Sequence, residues 1–334
     1  MSSGLRRCLA VGALAIIALA CAAPQVTNAP AGTSAGQVIR VLGSWEPSEL
    51  ATLRRVVAPF EERTGHRVEF ETTRDLKATL DAGIEASDPP DIAGLPGPGY
   101  MAQLAKAGRL VDLGTVIDLG AYKRQTAPAF VHLGTVDSRL VGIFLKGTVK
   151  GLLWFNPDVY RGGPVAAWAR LQHQAMSTEG VRAWCMGLGS DASSGWPGTD
   201  WIEDFVLRQS GPQVYDEWVA GSIRWSSPEI RWAFQSYGTV VGERDVSGGV
   251  QGALDTHFSR AGDGLLTDPP ECLFVHQATF MATFLDEAVA RLGGRYAFMR
   301  FPDIDPRFRG AVIPRSVRDR AARHPGLGSC HAVM

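Results

Sequence analysis

The sequence lacks an excess of charge of either sign, because 33 lysines and arginines oppose 34 aspartates and glutamates among its 334 residues. A net charge of −1 provides no basic footprint of the kind that binds nucleic acid. Long apolar runs are also missing: the longest, residues 9–20, has 12 residues, whereas a membrane-spanning helix needs about 20. These absences argue against a nucleic-acid-binding protein and exclude a polytopic membrane protein.

Signatures of catalysis and of metal binding are lacking too. None of the seven histidines pairs with another at ligand spacing, so no zinc site is predicted. Residues 32–36 match G-x-S-x-G, but no strand precedes them and no helix follows. Residues 97–102 match the dinucleotide turn G-x-G-x-x-A, yet Pro98 removes an amide donor from the loop that would bind phosphate. We therefore predict neither a catalytic centre nor a cofactor.

The N-terminus has the pattern of an export signal. Arg6 and Arg7 precede the 12-residue apolar run, which is the length of a signal-peptide core. The run ends in Ala-Leu-Ala-Cys21, which resembles a bacterial lipobox, in which the cysteine becomes the lipidated first residue. We predict a lipoprotein signal peptide over 1–20, lipidation at Cys21 and a flexible tether over 21–37. An unlipidated signal peptide and an uncleaved anchor are the alternatives. The predicted location is extracytoplasmic, on a bacterial cell membrane.

Cysteine is scarce, with five residues in the chain. Cys8 lies in the predicted signal peptide and Cys21 is the lipidation site, which leaves Cys185, Cys272 and Cys330 in an oxidising compartment. Cys185 and Cys272 are the candidate disulfide. Two separate buried thiols are the alternative, because connectivity cannot be deduced from sequence.

Segments of strand and helix character alternate after the tether, which indicates a layered α/β fold. Strands are predicted over 38–42, 68–72 and 92–95, and helices over 49–64, 76–85 and 100–107. An extended run over 142–154 is long enough to cross between two lobes, and buried strands over 272–280 and 296–301 close the second. We predict a first lobe over 38–145, a second over 146–305 and the start of a return to the first over 306–313.

The last segment, 314–334, shows no apolar periodicity and is rich in arginine. Two interpretations stay open for it. It is either a disordered basic terminus or a tail unrelated to a natural sequence that stops near Val312.

Tryptophan is concentrated in the second half of the chain, where eight of the nine fall between Trp154 and Trp232. Three of them, at 218, 225 and 232, are spaced by seven and are predicted to pack in the core. Trp196 and Trp201 instead belong to a predicted loop over 195–204 that also carries Asp200. Indole faces stack on sugar rings and carboxylates accept from their hydroxyls, so this loop is typical of a polyol site.

The acidic residues of the same segment admit a rival interpretation. Asp200, Glu203 and Asp204 offer the carboxylate pair that a glycosidase needs. The favoured alternative is a helix that begins at Thr199 or Asp200 and has acidic residues in its first turn.

Several short motifs together resemble the extracellular solute-binding proteins of ABC transporters, in particular the carbohydrate class close to α-glucoside-binding proteins. The motifs lie at residues 60–65, 90–92, 182–187, 195–204, 269–272 and 298–304. The resemblance implies a two-lobed α/β fold of the type II periplasmic-binding-protein kind, no catalysis, and delivery of a captured sugar to a membrane permease. Such proteins continue well past the position of Val312, so we expect C-terminal elements of the fold to be missing from this chain.

The predicted sugar contacts are sought on turns and just past the carboxyl ends of predicted strands, where open α/β sheets bind ligands. They are Trp45, Asp91 and Tyr100 in the first lobe, Lys146 in the crossing segment, and Trp196, Asp200, Trp201 and Gln277 in the second lobe. Trp45 and Trp196 are expected to stack on the sugar, and Lys146 to donate hydrogen bonds. The predicted partners are a sugar, ABC permease subunits and, through the lipid, a membrane. A secreted carbohydrate-active enzyme and a non-functional fragment are the alternatives.

Overall fold

The computed structural model describes residues 36–242 and 245–308, which form two α/β units, each built on its own sheet. The predicted signal peptide, the lipidation site Cys21, nearly all of the tether and the tail from 314 lie outside the described residues. Among the residues that are described, no helix combines the length and the apolar character that crossing a membrane would require.

The first sheet contains three parallel strands in the order β2-β1-β3. Its elements are β1 (Val38–Gly43), α1 (Pro47–Thr64), β2 (Arg67–Thr72), α2 (Leu76–Glu85), β3 (Ile92–Gly94) and α3 (Pro98–Lys106). All six elements predicted for this part of the chain are confirmed. Helix α1 begins two residues early because Pro47 favours a first helical turn and Glu46 and Glu49 form a capping box. Leu42, Leu80 and Leu104 pack together beneath the sheet.

A helical connection then leads to the second unit. It contains α4 (Leu119–Gln125), α5 (Pro128–Leu133) and a small hairpin of β4 (Thr135–Val136) and β5 (Arg139–Leu140), followed by β6 (Leu152–Phe155). The extended run predicted over 142–154 forms a strand only at its end, where β6 begins at Leu152. Gly151 has a φ of 69°, a left-handed conformation that interrupts any strand immediately before β6.

The second sheet has the order β7-β8-β6-β9, with β7 (Arg182–Trp184), β8 (Cys272–Gln277) and β9 (Ala297–Arg300). Strand β8 is parallel to β7 and antiparallel to β6, and β6 is also antiparallel to β9. The two buried strands predicted for this unit are confirmed in slightly shorter form. Five helices surround the sheet: α6 (Trp168–Met176), α7 (Trp196–Val219), α8 (Pro228–Val240), α9 (Gly249–Asp255) and α10 (Met281–Leu292).

Aromatic side chains dominate the core of the second unit. Trp168 stacks on Trp184 and on Phe301, with ring centroids 5.8 and 5.1 Å apart. Trp201 meets Trp184 edge to face at 4.9 Å. The concentration of tryptophan noted in the sequence is therefore largely a packing feature, which large apolar rings favour through the area they bury.

A disulfide joins Cys185 to Cys272, the predicted pair, with their Cα atoms 5.4 Å apart. Cys272 is the first residue of β8 and Cys185 directly follows β7, so two neighbouring parallel strands bring the thiols together. The bond closes a loop of 87 residues in sequence.

Helix α7 replaces the loop predicted over 195–204. Its N-cap is Gly195, with a φ of 100°, and Pro197 lies in its first turn, so neither Thr199 nor Asp200 caps it. Gly211 has φ 85° and ψ 172°, which divides α7 into a first segment, 196–210, and a second, 212–219. The second segment folds back on the first, because Glu203 and Tyr215 line the same cavity, although a straight helix would separate these residues by about 18 Å.

Candidate ligand site between the two sheets

The carboxyl edge of the first sheet faces the second unit. Arg74, two residues past the end of β2, makes the clearest contact across the gap. Its guanidinium carbon lies 5.0 Å from the centroid of the Phe258 ring, and its backbone oxygen accepts a hydrogen bond of 2.7 Å from the Ser193 hydroxyl. The carboxyl ends of the strands therefore form one wall of an interface between the two units.

Trp45 provides an aromatic surface on this first wall. It follows β1 closely, and its indole covers Gly43 and Gly94, which are paired across β1 and β3. A Cβ atom at either glycine would lie 2.5 Å from the indole, so both positions need glycine for Trp45 to lie there. Phe70 meets the indole edge to face at 5.7 Å. The half-buried indole is thus held in place by the strand ends.

Two ion pairs flank Trp45. Glu46 pairs with Arg74, and Glu49 pairs with Lys146, which lies in the segment that leads to the second unit. Because Glu49 also accepts the backbone N–H of Glu46 in the capping box, the two pairs share one helix start. The start of α1 is therefore linked electrostatically both to the end of β2 and to the crossing segment.

Trp196, the first residue of α7, provides the aromatic surface of the second wall. Its ring meets Phe258 at 5.1 Å and Phe280 at 5.8 Å, both edge to face. The ammonium nitrogen of Lys150 lies 5.5 Å from the ring centroid. Phe258 also contacts Arg74, so this one ring bridges Trp196 and the first wall.

Asp200 holds Lys150 in this position. Its Oδ1 lies 2.5 Å from the ammonium nitrogen, and its side chain is 4% exposed. Burial raises the pKa of Asp200, and the neighbouring charge of Lys150 opposes that increase. The second oxygen, Oδ2, is buried without a hydrogen-bond partner in the part of the chain that the structure describes. A buried acceptor without a hydrogen bond lowers the stability of the fold, and a hydroxyl or ammonium donor at the site would provide that hydrogen bond.

A row of buried charges continues beneath Asp200 along α7 at spacings of four residues. Asp204 Oδ2 lies 2.7 Å from His276 Nε2 on β8, and Asp204 Oδ1 lies 3.6 Å from Arg208 Nε. Arg208 also contacts Asp303, beyond β9, at 3.3 Å. These contacts fix the helix that carries Trp196 and Asp200 to the central strand and to the segment that follows the edge strand.

Four of the predicted contact residues lie at this interface, namely Trp45, Lys146, Trp196 and Asp200. Asp91 does not, because it precedes β3 and accepts the Arg40 backbone N–H at 2.8 Å, toward the amino end of the sheet. Tyr100 hydrogen-bonds to Asp81 on α2.

Trp201 and Gln277 are each 2% exposed, so burial removes both from the proposed contact set. Trp201 packs in the aromatic core of the second unit, and the side-chain oxygen of Gln277 accepts the Ala278 backbone N–H.

Sequence reasoning missed Arg74, Lys150, Phe258 and Phe280. Arg74 had a usable signal, because it follows β2 as Trp45 follows β1. Lys150 lies four residues from Lys146 in the same segment, and only the position of Asp200 distinguishes the two lysines. The two phenylalanines come from separate segments after α9 and after β8, which only the fold brings together.

Metal binding finds no support at this interface. Within 36–242 and 245–308, no group of three or more histidine, cysteine, aspartate or glutamate residues has a geometry that would hold a metal ion. The side chains that are present suit a neutral or weakly charged organic ligand, with aromatic faces, ammonium and guanidinium donors, and one buried acceptor.

Comparison with known proteins identifies the family of the chain. Residues 44–256 match the family described as bacterial extracellular solute-binding protein. The chain belongs to this family. Its mixed α/β architecture, with two larger sheets and a small hairpin, is the two-lobed fold of the solved binding proteins on which it superposes.

Curated relatives of this solute-binding protein are similar over most of the chain. The osmoprotective compounds-binding protein GgtB of Synechocystis is 32% identical over 276 residues, which are 81% of this chain and 65% of the relative. The alpha-glucosides-binding periplasmic protein AglE of Rhizobium meliloti is 31% identical over 264 residues, 75% of this chain and 58% of the relative. The chain therefore spans about two thirds or less of the length of these relatives.

Solved structures confirm the fold of this solute-binding protein. A chitin oligosaccharide binding protein superposes with a TM-score of 0.68 at 17% identity, covering 91% of this chain and 83% of that chain. The maltotriose binding protein of Thermus thermophilus superposes with a TM-score of 0.53 at 15% identity, covering 80% and 68%.

Proposed function

We propose that the chain captures a sugar, an α-glucoside in particular, between its two sheets and delivers it to the permease of an ABC importer. The observation that carries the proposal is the pair of aromatic surfaces at the interface: Trp45 lies on the first wall, and Trp196, under Lys150, lies on the second. Aromatic faces flanked by charged donors suit sugars, whose C–H faces stack and whose hydroxyls accept and donate hydrogen bonds. The similarity to AglE, which is named as an alpha-glucosides-binding protein, supports an α-glucoside as the ligand.

The mechanism would be closure of one lobe on the other. In the open form Arg74 and Phe258 would separate, and a sugar that contacts both walls would favour the form in which they meet. Within the crossing segment, Lys146 contacts Glu49 on the first wall and Lys150 contacts Asp200 on the second. This segment is therefore the proposed hinge.

The rival glycosidase interpretation has weaker geometric support. It requires two carboxyl groups that flank one glycosidic bond. Asp200 is instead committed to Lys150, and Glu203 is directed at Tyr215 in the second segment of α7. We therefore favour binding without turnover.

Calorimetric titration with maltose, trehalose and sucrose tests the proposal, with mannitol as a control polyol that lacks a glucoside ring. We expect saturable binding of at least one disaccharide and no binding of mannitol. Chromatography of the same samples should recover the sugar intact. Release of glucose would contradict the binding role, and the absence of binding by all three disaccharides would contradict the α-glucoside assignment.

Attachment to the membrane through Cys21 is a second proposal, based on the lipobox-like sequence. We expect the chain expressed in a bacterial host to partition with membranes, and a Cys21→Ser variant to be released into the soluble extracytoplasmic fraction. A Ser2→Ala variant is the control that leaves the cysteine in place. Equal membrane partitioning of the Cys21→Ser variant and the parent would contradict lipidation.

A further inference from the structure

A cavity of about 350 Å³ lies in the second unit between the two segments of α7 and helix α8. It lies on the face of α7 that carries Glu203, whereas Asp200 and Asp204 face the crossing segment and β8. We call it the aromatic cavity, because four of the eight residues that line it are aromatic. The lining residues are Thr199, Ile202, Glu203, Tyr215, Trp218, Val219, Trp225 and Phe234.

The aromatic rings of this cavity form walls rather than a stack. Tyr215 meets Trp218 at 83° with centroids 5.9 Å apart, and Trp218 meets Trp225 at 75° and 5.2 Å. Phe234 follows Trp225 at 57° and 6.4 Å. Successive rings thus turn around a common space, and their faces carry the negative charge of the aromatic quadrupole.

Core packing does not account for two of these aromatic residues, Trp225 and Phe234, although Tyr215 and Trp218 pack against the core of the second unit. Trp225 is 68% exposed and Phe234 is 46% exposed, so the prediction that Trp225 packs in the core is wrong. The spacing of seven presupposes one continuous helix, but α7 ends at Val219 and α8 begins at Pro228, which leaves Trp225 in the connection. Two large aromatic side chains that are exposed next to each other, as Trp225 and Phe234 are, are typical of a binding surface.

One acidic group lines the aromatic cavity. Burial and the neighbouring Asp200 raise the pKa of Glu203 to about 7, and Asp204 adds to this effect. Lys150 and the hydrogen bond from Tyr215 act in the opposite direction. A carboxyl group kept in an environment that disfavours its charge is a common feature of functional sites.

We propose that the aromatic cavity binds a small organic cation, with an alkylated ammonium group against the aromatic rings and the Glu203 carboxylate as its counter-charge. Alkylated ammonium groups combine a positive charge with an apolar surface, which matches aromatic faces and one carboxylate. The polar groups of the lining are the side chains of Glu203, Thr199 and Tyr215 and the indole N–H groups of Trp218 and Trp225, and the Glu203 carboxyl is the group among them that becomes an anion near neutral pH. The volume of the cavity is that of a small-molecule site.

Choline and its uncharged isostere 3,3-dimethylbutan-1-ol separate charge recognition from apolar burial. In calorimetric titrations of the full chain at pH 8, we expect saturable binding of choline and binding of the isostere that is weaker by roughly tenfold or more. Trp225→Ala and Glu203→Gln should each weaken choline binding by roughly tenfold. Phe298→Ala, at an aromatic residue that is 58% exposed elsewhere, and Glu287→Gln, at an exposed acid on α10, are matched controls that should bind as the parent does.

The pH dependence of choline binding provides an independent test. A bound cation favours the ionised carboxyl, so binding below a pH of about 7 must expel the proton of Glu203. Choline affinity of the parent should therefore fall as the pH decreases through 7, while that of Glu203→Gln should stay constant.

Three results would overturn the proposal. The first is equal affinity for choline and the isostere, or no saturable choline binding at millimolar concentration. The second is choline binding that neither Trp225→Ala nor Glu203→Gln weakens. The third is choline binding lost in Trp196→Ala but kept in Trp225→Ala, which would assign the cation to the interface between the sheets.

Discussion

Replacement of Arg208 by methionine is expected to lower the free energy of unfolding by about 3–5 kcal/mol. Arg208 is 1% exposed and lies between Asp204 and Asp303, which are both buried. Methionine matches the length of the arginine stem, so the change removes the charge with little loss of volume. Asp204 would then keep His276 as its partner, and Asp303 would keep Arg300. Each carboxylate would lose Arg208, the cation that is buried with it.

Chemical denaturation of the purified chain measures this effect. Arg300→Met is the matched control, because Arg300 pairs with the same Asp303 at 3.0 Å but is 41% exposed. Solvent screens an exposed pair, so the control should lose about 1 kcal/mol or less. Arg208→Lys keeps the charge without the planar fork and should recover part of the loss. Equal destabilisation by Arg208→Met and Arg300→Met would contradict a structural role for the buried row.

The first sheet was predictable because its signals are local. Each strand is a short run of apolar or alternating apolar residues, and each following helix has its own periodicity and end signals, such as Gly65 at the end of α1 with a φ of 71°. The carboxyl edge then follows from the parallel order, which is why Trp45 was placed correctly. Asp91 is predicted as a contact from its turn before the third strand, and this turn lies at the amino end of β3, away from the carboxyl edge.

Helix α7 shows why the second unit was harder to predict. Gly195, Pro197 and Gly198 are turn residues in most contexts, so residues 195–204 were assigned to a loop. In the structure Gly195 provides the cap and Pro197 lies in the first turn, which makes the same residues a helix start. The break at Gly211 could not be recognised, because its effect depends on the packing of Tyr215 and Trp218 against the first segment. The candidate interface depends on the start of α7, and the aromatic cavity depends on the break at Gly211.

Sugar affinity is expected to fall by about 2 kcal/mol, or roughly 30-fold, when Trp196 is replaced by alanine. The indole is the aromatic face of the second wall, and Phe258 and Phe280 hold its edges. Alanine would remove the stacking surface and leave Lys150 without the ring beneath it. Phe298→Ala is the control for loss of an exposed aromatic ring, and calorimetry with the disaccharide that binds the parent most tightly is the measurement. Undiminished affinity in Trp196→Ala would remove the second wall from the proposed site.

Substitutions at Asp200 and Lys150 distinguish a direct contact of Asp200 with the sugar from an indirect effect through Lys150. Asp200 is buried, so we expect it to act mainly by holding Lys150 over Trp196. Asp200→Asn and Lys150→Met should then each weaken sugar binding by roughly tenfold, and the double variant should bind no more weakly than the worse single variant. Losses that add in the double variant would instead show that Asp200 contacts the sugar independently, through the Oδ2 that has no hydrogen-bond partner among the described residues.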